Sequence, residues 1–195
     1  MGGADKGLLR WHGATLAQAV TEVMLPQVQC FGISANRNLG AYAQLLQACL
    51  ASSPKQSLGV QPDDPDLPPG SGPLAGVLSG LRRSPGAWLQ LAPCDTPRLP
   101  KHLVNTLLSA AIEAQADIAV PTTTHEVTPG VPEVRHHWVC ALVHPRVTPA
   151  LVNAFVTGER KVGRWIRSQR WVAVSFATAS AFENMNTLET LDDRH

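Results

Sequence analysis

Residues 74–120, LAGVLSGLRRSPGAWLQLAPCDTPRLPKHLVNTLLSAAIEAQADIAV, decide the fold class of this chain of 195 residues. The spacing of the apolar residues predicts a helix over 74–83, a buried strand over 87–92, a second helix over 101–115 and a short strand over 117–120. Strands that alternate with helices in this way are typical of βαβ units, which build a parallel sheet. We therefore expect an α/β fold with a mostly parallel central sheet.

The same alternation continues on both sides of this stretch. Thr15 is expected to cap a helix that Pro26 ends, and Asn186 with Thr187 to cap a short terminal helix. Further strands are predicted over 28–34, 58–61, 134–143 and 171–176, and further helices over 15–25, 39–51, 144–157 and 161–169. A length of 195 residues fits a single domain, 1–195, around one core.

The composition excludes several classes of partner. Acidic and basic residues nearly cancel at a net charge of +1, so there is no electrostatic case for binding nucleic acid or an anionic membrane. The chain lacks an apolar run of the roughly 20 residues that a membrane span requires, and its beginning does not resemble a signal peptide. We expect a cytosolic protein.

The four cysteines, Cys30, Cys49, Cys94 and Cys140, have neither a zinc spacing nor the density of a disulfide scaffold. We expect them to behave as small buried hydrophobic residues. A reactive thiolate at Cys94 is disfavoured, because the neighbouring carboxylate of Asp95 would raise its pKa.

Asp95 is the first candidate site residue, because it follows the predicted strand 87–92 directly after Pro93 and Cys94. Ligands of open α/β sheets bind at the carboxyl ends of the strands, and a lone acid there can hold a magnesium ion that is shared with phosphate oxygens. The alternative is an N-cap for the helix that begins near Pro100. The spacing alone does not choose between the two.

Glycine-rich segments supply three further candidates. Met1 to Gly7, MGGADKG, could let backbone N–H groups and Lys6 approach a phosphate, or could be a chain end with chance glycines. The loop 62–73, PDDPDLPPGSGP, is either a connector or a functional loop. It leads into Gly72-Pro73-Leu74, where a helix begins that could lie close to a ligand, although ordinary helix initiation explains the same residues.

Taken together and in order, these segments resemble the molybdenum cofactor guanylyltransferase family over nearly the whole chain. An early DKG followed by PLAG and then PCDTP is a specific combination of motifs. The matching segments are MGGADKGLL (1–9), ISANR (33–37), PDD (62–64), GPLAG (72–76), PCDTP (93–97), HHWVCALV (136–143), GERKV (158–162) and ENMNTLETL (183–191).

The resemblance implies a Rossmann-like nucleotidyltransferase fold with helices on both faces of the sheet. It implies a magnesium-dependent, cytosolic enzyme that joins GMP from GTP to molybdopterin and releases pyrophosphate. Residues 1–121 would form the nucleotide-binding part and 122–195 the molybdopterin-binding part. The partners would be GTP and molybdopterin, with other molybdenum cofactor biosynthesis proteins and molybdoenzyme chaperones as further candidates, and we expect a monomer.

On the nucleotide side, the resemblance makes Lys6 the lysine that contacts the phosphates and Asp95 the magnesium ligand, and these two would be the catalytic residues. Asp63 best matches the acid of the loop, although Asp64 matches equally with a slip of one residue. Ser34 occupies a position where the family often has an asparagine near the guanine nucleotide. The remaining nucleotide-side matches are the glycines and the helix start: Gly2, Gly3, Gly72, Pro73 and Leu74.

On the molybdopterin side, His137 occupies the position of a His-Pro motif, with Trp138 in place of the proline. Arg160 and Lys161 match a basic stretch that faces the pterin or its phosphate. Asn184 and Asn186 match a pair of asparagines near the C-terminus.

The family pattern opens with a buried strand and LAGG before the position of Met1, so the resemblance implies that the first strand and part of the glycine-rich loop are lacking here. A missed upstream start is our favoured expectation, and a true remnant is the other. Because the phosphate of molybdopterin is already ionised, the reaction needs no general base, only alignment and charge neutralisation. Two rival functions are cytidylyl transfer to molybdopterin and a non-catalytic module that binds molybdopterin or a partner protein.

Overall fold

Helices and strands alternate along the chain in the computed structural model, which describes residues 5–51, 53–68, 70–128 and 131–185. The helices are α1 (Leu16–Met24), α2 (Leu39–Leu50), α3 (Pro73–Arg83), α4 (Leu103–Glu113), α5 (Thr148–Val156) and α6 (Val162–Arg167). The strands are β1 (Arg10–Trp11), β2 (Ala14–Thr15), β3 (Cys30–Ser34), β4 (Gln56–Gln61), β5 (Leu89–Gln90), β6 (Ile118–Thr128), β7 (Val131–His136), β8 (Leu142–Val143) and β9 (Trp171–Ser175). No helix among these described residues is long and apolar enough to cross a membrane.

The ends of two helices follow from single residues. Thr15 caps α1 as predicted, because its hydroxyl oxygen accepts a hydrogen bond from the N–H of Gln18 at 3.2 Å. Gly72 precedes α3 with a φ of +73°, a conformation that glycine adopts without strain. Pro73 then begins the helix, where its missing N–H costs nothing.

The larger sheet has β6 at its centre. β9 pairs with β6 in parallel, whereas β7 and β8 pair antiparallel with successive parts of its other edge, and β5 pairs antiparallel with β8. β5, β6 and β9 therefore run in the same direction. A smaller parallel sheet contains β3 and β4, and β1 and β2 form a short hairpin.

The α/β class is confirmed, but the larger sheet is mixed where we expected mostly parallel strands. The difference arises because β6 turns back directly into β7, and a direct reversal can only give antiparallel pairing. The single strand predicted over 134–143 is interrupted by a short 3-10 turn, Trp138–Cys140, which separates β7 from β8.

Helices cover both faces of the larger sheet, as the resemblance implied. On one face α3, α5 and α6 pack Leu78, Leu151 and Ile166 against Ile118 and other sheet residues. On the opposite face α1 and α4 contribute to a second core that includes Met24, Leu103 and Leu107. The first residues of β6, Ile118, Ala119 and Val120, are thus completely buried, whereas β7 is mostly exposed.

The cysteines differ from one another in burial. Cys140 is 2% exposed and belongs to the second core, as expected of a small hydrophobic residue. Cys30 and Cys49 are half-buried, whereas Cys94 is exposed, because the turn after β5 carries it out of the sheet. The expectation of burial is therefore wrong for Cys94.

Candidate functional site

A tight turn after β5 holds Asp95 beyond the carboxyl end of this strand, the direction in which β6 and β9 also run. The N–H of Leu91 donates to the carbonyl of Ala141 at 3.0 Å, and the hydroxyl of Thr96 donates to the carbonyl of Pro93 at 3.0 Å, which closes the turn. The N–H of Met185 donates to the Asp95 carbonyl at 2.9 Å, so the C-terminal segment is also attached here. The next helix, α4, begins only at Leu103, and its N-cap is His102, so Asp95 is not a helix cap.

Lys6 lies beside Asp95 although the two residues are far apart in the sequence. A short 3-10 turn, Lys6–Leu8, brings the lysine Nζ to 3.7 Å from Asp95 Oδ2. The Asp95 side chain is 12% exposed and that of Lys6 is 46% exposed. A buried carboxylate and a half-exposed ammonium group therefore face each other at the carboxyl end of the sheet, the edge where α/β folds bind ligands.

Asp5 belongs to the same cluster and was missed by the sequence analysis. Tyr42 donates to Asp5 Oδ1 at 2.6 Å, Asn38 donates to Oδ2 at 3.0 Å, and the Nε of Arg37 lies 3.4 Å from Oδ2. Burial alone would raise the pKa of Asp5, but these hydrogen bonds and the charge of Arg37 outweigh it and lower the pKa below its usual value. The donors are Asn38, the N-cap residue of α2, and Tyr42 in its first turn, and no local pattern in the sequence connects them with Asp5.

Cys94 has the protonated thiol that the sequence predicts. Protein atoms around its sulfur, followed by the charges of Asp95 and Asp5, raise the pKa of the thiol to about 11, although part of the residue is exposed. The thiol is therefore not a nucleophile at neutral pH.

Ser34 and Asp63 converge at the start of α3. A Cβ atom added to Gly76 would lie 3.6 Å from the Ser34 hydroxyl and 3.8 Å from Asp63 Oδ1. Asn36, the second residue that sequence reasoning missed, fixes Asp63: its amide donates to Asp63 Oδ2 at 2.8 Å and accepts from the Asp63 N–H at 2.9 Å. The glycine keeps the space above the first turn of α3 open between two polar side chains.

The neighbouring carboxylate of Asp64 has a different environment. Arg82 and Arg83 of α3 both bind it, Arg82 at 2.8 Å, and the Asp64 N–H donates to the Ser79 hydroxyl at 2.8 Å. Asp64 thus fastens the loop to α3. At the helix start, Gly72 and Pro73 are exposed, whereas Leu74 is fully buried.

A cavity of about 390 Å³ joins this edge to the C-terminal part of the chain. Its walls include four residues of the molybdopterin-side prediction, and Thr96 from the turn of Asp95 also lines it. The four are His137, Arg160, Lys161 and Asn184. The structure therefore brings these predicted residues together around one space.

Within this cavity wall, His137 is buried and neutral. Its Nε2 lies 2.9 Å from the Thr123 hydroxyl, and its ring stacks on Phe182 with centroids 4.5 Å apart. Burial, and then the charge of Arg135, lower the pKa of His137 to about 4. The imidazole can therefore exchange hydrogen bonds at neutral pH but carries no charge there.

Arg160, which also lines this cavity, is half-buried. Its Nη1 donates to the carbonyl oxygens of Phe155 at 3.1 Å and Glu159 at 2.7 Å, and its guanidinium carbon lies 4.8 Å from the centre of the Phe155 ring. Lys161 beside it is exposed. These contacts hold the Arg160 guanidinium in place at the cavity, and the exposed Lys161 lies next to it.

The remaining predicted residues, Gly2, Gly3 and Asn186, lie outside the described residues. Within the described part of the chain, no group of three or more His, Cys, Asp or Glu side chains converges to hold a metal ion.

The comparisons with known proteins agree with this architecture. A solved Archaeoglobus fulgidus structure, molybdopterin-guanine dinucleotide biosynthesis protein A, is similar with a TM-score of 0.66 at 19% identity, covering 97% of this chain and 88% of that one. A Thermus thermophilus 2-C-methyl-D-erythritol 4-phosphate cytidylyltransferase is similar with a TM-score of 0.63 at 14% identity, covering 95% and 90%. These two likenesses establish the nucleotidyltransferase fold.

The sequence comparisons are more specific. Residues 1–174 match the family described as the MobA-like NTP transferase domain. A molybdenum cofactor guanylyltransferase of Cupriavidus necator is 39% identical over 192 residues, which cover 98% of this chain and 87% of that protein. The chain therefore belongs to the molybdenum cofactor guanylyltransferase family, within the MobA-like NTP transferases.

Proposed function

We propose that this protein transfers GMP from GTP to molybdopterin, forming the molybdopterin guanine dinucleotide cofactor and releasing pyrophosphate. The observation that carries the proposal is the approach of Lys6 Nζ to within 3.7 Å of Asp95 Oδ2, at the ligand-binding edge of a nucleotidyltransferase sheet. The cavity that begins at Thr96 provides room for a second substrate next to this pair. Family membership supports GTP and molybdopterin as the two substrates.

The reacting groups need alignment more than proton transfer, since the phosphate of molybdopterin is already an anion. Lys6 offsets negative charge that develops towards the pyrophosphate. Asp95 would hold Mg²⁺, and a single carboxylate fits this role because Mg²⁺ usually takes one or two protein carboxylates and completes its octahedron with phosphate oxygens and water. When bound, the ion polarises phosphate oxygens and orients them for in-line attack at the α-phosphorus.

The base of GTP would lie against Ser34 and Asp63. Asp63 suits a ligand contact better than Asp64, because Asp64 is committed to Arg82 and Arg83 while Asp63 lies beside the open position at Gly76. Molybdopterin would occupy the cavity, with Arg160 and Lys161 near its phosphate and with His137 and Asn184 as neutral hydrogen-bonding groups.

Turnover of GTP and of CTP, each with molybdopterin and magnesium, tests the proposal. We expect pyrophosphate and the guanine dinucleotide from GTP, and much slower release of pyrophosphate from CTP. Preferential use of CTP would establish cytidylyl transfer instead. Binding of molybdopterin without turnover of either nucleotide would identify a non-catalytic module.

A further inference from the structure

Tyr42 and Asp5 form a buried contact next to Lys6. Tyr42 is 4% exposed and the Asp5 side chain 12% exposed, and the tyrosine hydroxyl donates to Asp5 Oδ1 at 2.6 Å. Burying a carboxylate costs free energy that short, charge-assisted hydrogen bonds must offset. Neither group has a part in the chemistry proposed above, so the reason for the contact lies in what it holds in place.

Both oxygens of Asp5 are fixed to the first turn of α2. Asn38, the N-cap residue of α2, donates to Oδ2 at 3.0 Å, and Tyr42 in the first turn donates to Oδ1. Asn38 has a φ of +53°, a left-handed conformation that asparagine tolerates, and its carbonyl accepts the Tyr42 N–H at 3.2 Å. The Asp5 carboxylate is thus held at two points on a rigid element.

Gly7 fixes the other side of the same turn. A Cβ atom at Gly7 would collide with the Tyr42 hydroxyl and would lie 3.3 Å from the Cβ of Cys94. The turn is therefore wedged between Tyr42 and the segment that carries Asp95. Lys6 lies between Asp5 and Gly7, so both of its neighbours are immobilised.

We propose that Tyr42 is a positioning residue which, through Asp5, holds Lys6 beside Asp95 in the orientation that the phosphates of the nucleotide require. This inference rests on the proposed role of Lys6. The Lys6 side chain is long and 46% exposed, so it has many rotamers, and anchoring its backbone keeps the ammonium group within reach of the reacting phosphates. A contact of this kind acts on the transition state, so its loss lowers kcat more than it raises the KM for GTP.

The test is Tyr42→Phe, which removes the hydroxyl and leaves the ring against Gly7. We expect kcat for GMP transfer to fall about 10- to 100-fold, the range for a small misplacement of a catalytic group, with little change in the KM for GTP. Thr21→Val is the control, because it removes a buried hydroxyl that bonds only within α1, to the Ala17 carbonyl at 2.7 Å. Urea unfolding checks that both variants remain folded, and Thr21→Val should retain full turnover.

The decisive measurement is the same substitution in a Lys6→Ala background. If Tyr42 acts through Lys6, Tyr42→Phe causes no further loss of kcat in the Lys6→Ala protein. An unrelated structural effect would lower kcat there by the same factor as in the wild-type background. Wild-type kcat in Tyr42→Phe, or equal losses in both backgrounds, would overturn the inference and leave the proposed function intact. Wild-type turnover in Lys6→Ala would overturn the role of Lys6 and this inference with it.

A second variant keeps the inference testable if Tyr42→Phe does not fold. Asn38→Gly removes the amide that binds Asp5 Oδ2 and still accepts the left-handed backbone. We expect a smaller loss of kcat in the same direction, and again none in the Lys6→Ala background. An unchanged kcat in this variant would count against the positioning role.

Discussion

Two aspartates lie at opposite ends of the larger sheet and differ in what surrounds them. Asp95 follows β5 and Asp117 directly precedes β6. Since these strands run in the same direction, Asp95 lies at their carboxyl end and Asp117 at their amino end. Their side chains are almost equally buried, at 12% and 10% exposure. Burial alone therefore does not separate a ligand-binding carboxylate from a structural one.

The cations around them do separate the two. Asp117 Oδ1 lies 2.7 Å from Arg146 Nε, and Asp117 Oδ2 lies 2.9 Å from Arg170 Nε, with a further bond from Arg170 Nη2 to Oδ1 at 3.1 Å. Lys6 Nζ lies 3.7 Å from Asp95 Oδ2, which is too long for a hydrogen bond. Asp117 is thus neutralised by two arginines that hydrogen-bond to it, whereas Lys6 approaches Asp95 only at ion-pair distance.

The largest effect should come from Asp95→Asn. We expect kcat to fall by roughly 10²–10³-fold, as when a main electrostatic group is removed from an active site, with little change in the free energy of unfolding. Steady-state turnover and urea unfolding measure the two quantities. Asp117→Asn is the matched control, for which we expect a lower free energy of unfolding and an unchanged kcat. Unchanged turnover at saturating magnesium would remove Asp95 from its role.

The next effect is on the pH dependence of the free energy of unfolding, to which a histidine at each end of the sheet is expected to contribute differently. His137, at the Asp95 end, has a pKa of about 4 in the folded protein against an ordinary value of 6.5, because burial disfavours its charged form. Between these values the unfolded chain binds more protons, so the free energy of unfolding should fall as the pH drops from 6.5 to 4, by about 3 kcal/mol at most.

Urea unfolding at pH 7 and pH 5 measures this slope. His137→Gln should remove most of it. His144→Gln is the control at the Asp117 end, where the backbone N–H of His144 donates to the Asp117 carbonyl at 2.8 Å, and it should flatten the slope less. If both variants reduced this pH dependence equally, the prediction that His137 dominates it would be wrong.

The elements could be predicted from sequence where local pattern decides them. The predicted helix 39–51 is observed as Leu39–Leu50, and the predicted strand 171–176 as Trp171–Ser175, because apolar spacing and turn residues act within a few positions. The break between β7 and β8 was missed, since the apolar residues of 134–143 continue through the 3-10 turn at Trp138. The hairpin of β1 and β2 was missed as well, because it depends on positive φ angles at His12 and Gly13.

The site could be predicted only in part. Asp95 is indicated by its place after a strand, but its partner Lys6 was matched to it through the family resemblance, because no local pattern connects residues so distant in sequence. Asp5 was missed for the same reason: its donors are on α2, and only the fold brings them together. The choice between Asp63 and Asp64 likewise depends on where Arg82 and Arg83 point.

A smaller effect is expected for Asp117→Asn. The substitution weakens charge-assisted bonds to two partly exposed arginines, so we expect a loss of about 1–2 kcal/mol in the free energy of unfolding at pH 7, with kcat unchanged. Hydrogen bonding to Arg170 lowers the pKa of Asp117 below its ordinary value of 3.8, so this stability is present above pH 3.8 and is lost as the pH falls through the lowered pKa. Unfolding at pH 7 and near pH 3 measures both parts. A loss of kcat with unchanged stability would reverse the contrast with Asp95.

The smallest effects should come from Arg146→Ala and Arg170→Ala, taken singly. Their side chains are 51% and 64% exposed, and ion pairs as exposed as these contribute little to stability. After either substitution the Asp117 carboxylate keeps one arginine, but the double variant leaves it buried without either, so the double loss of unfolding free energy should exceed the sum of the single losses. Urea unfolding of the three variants measures the difference. If the losses simply add, the two arginines do not share the charge of Asp117, and two-sided neutralisation would not be what distinguishes this carboxylate from Asp95.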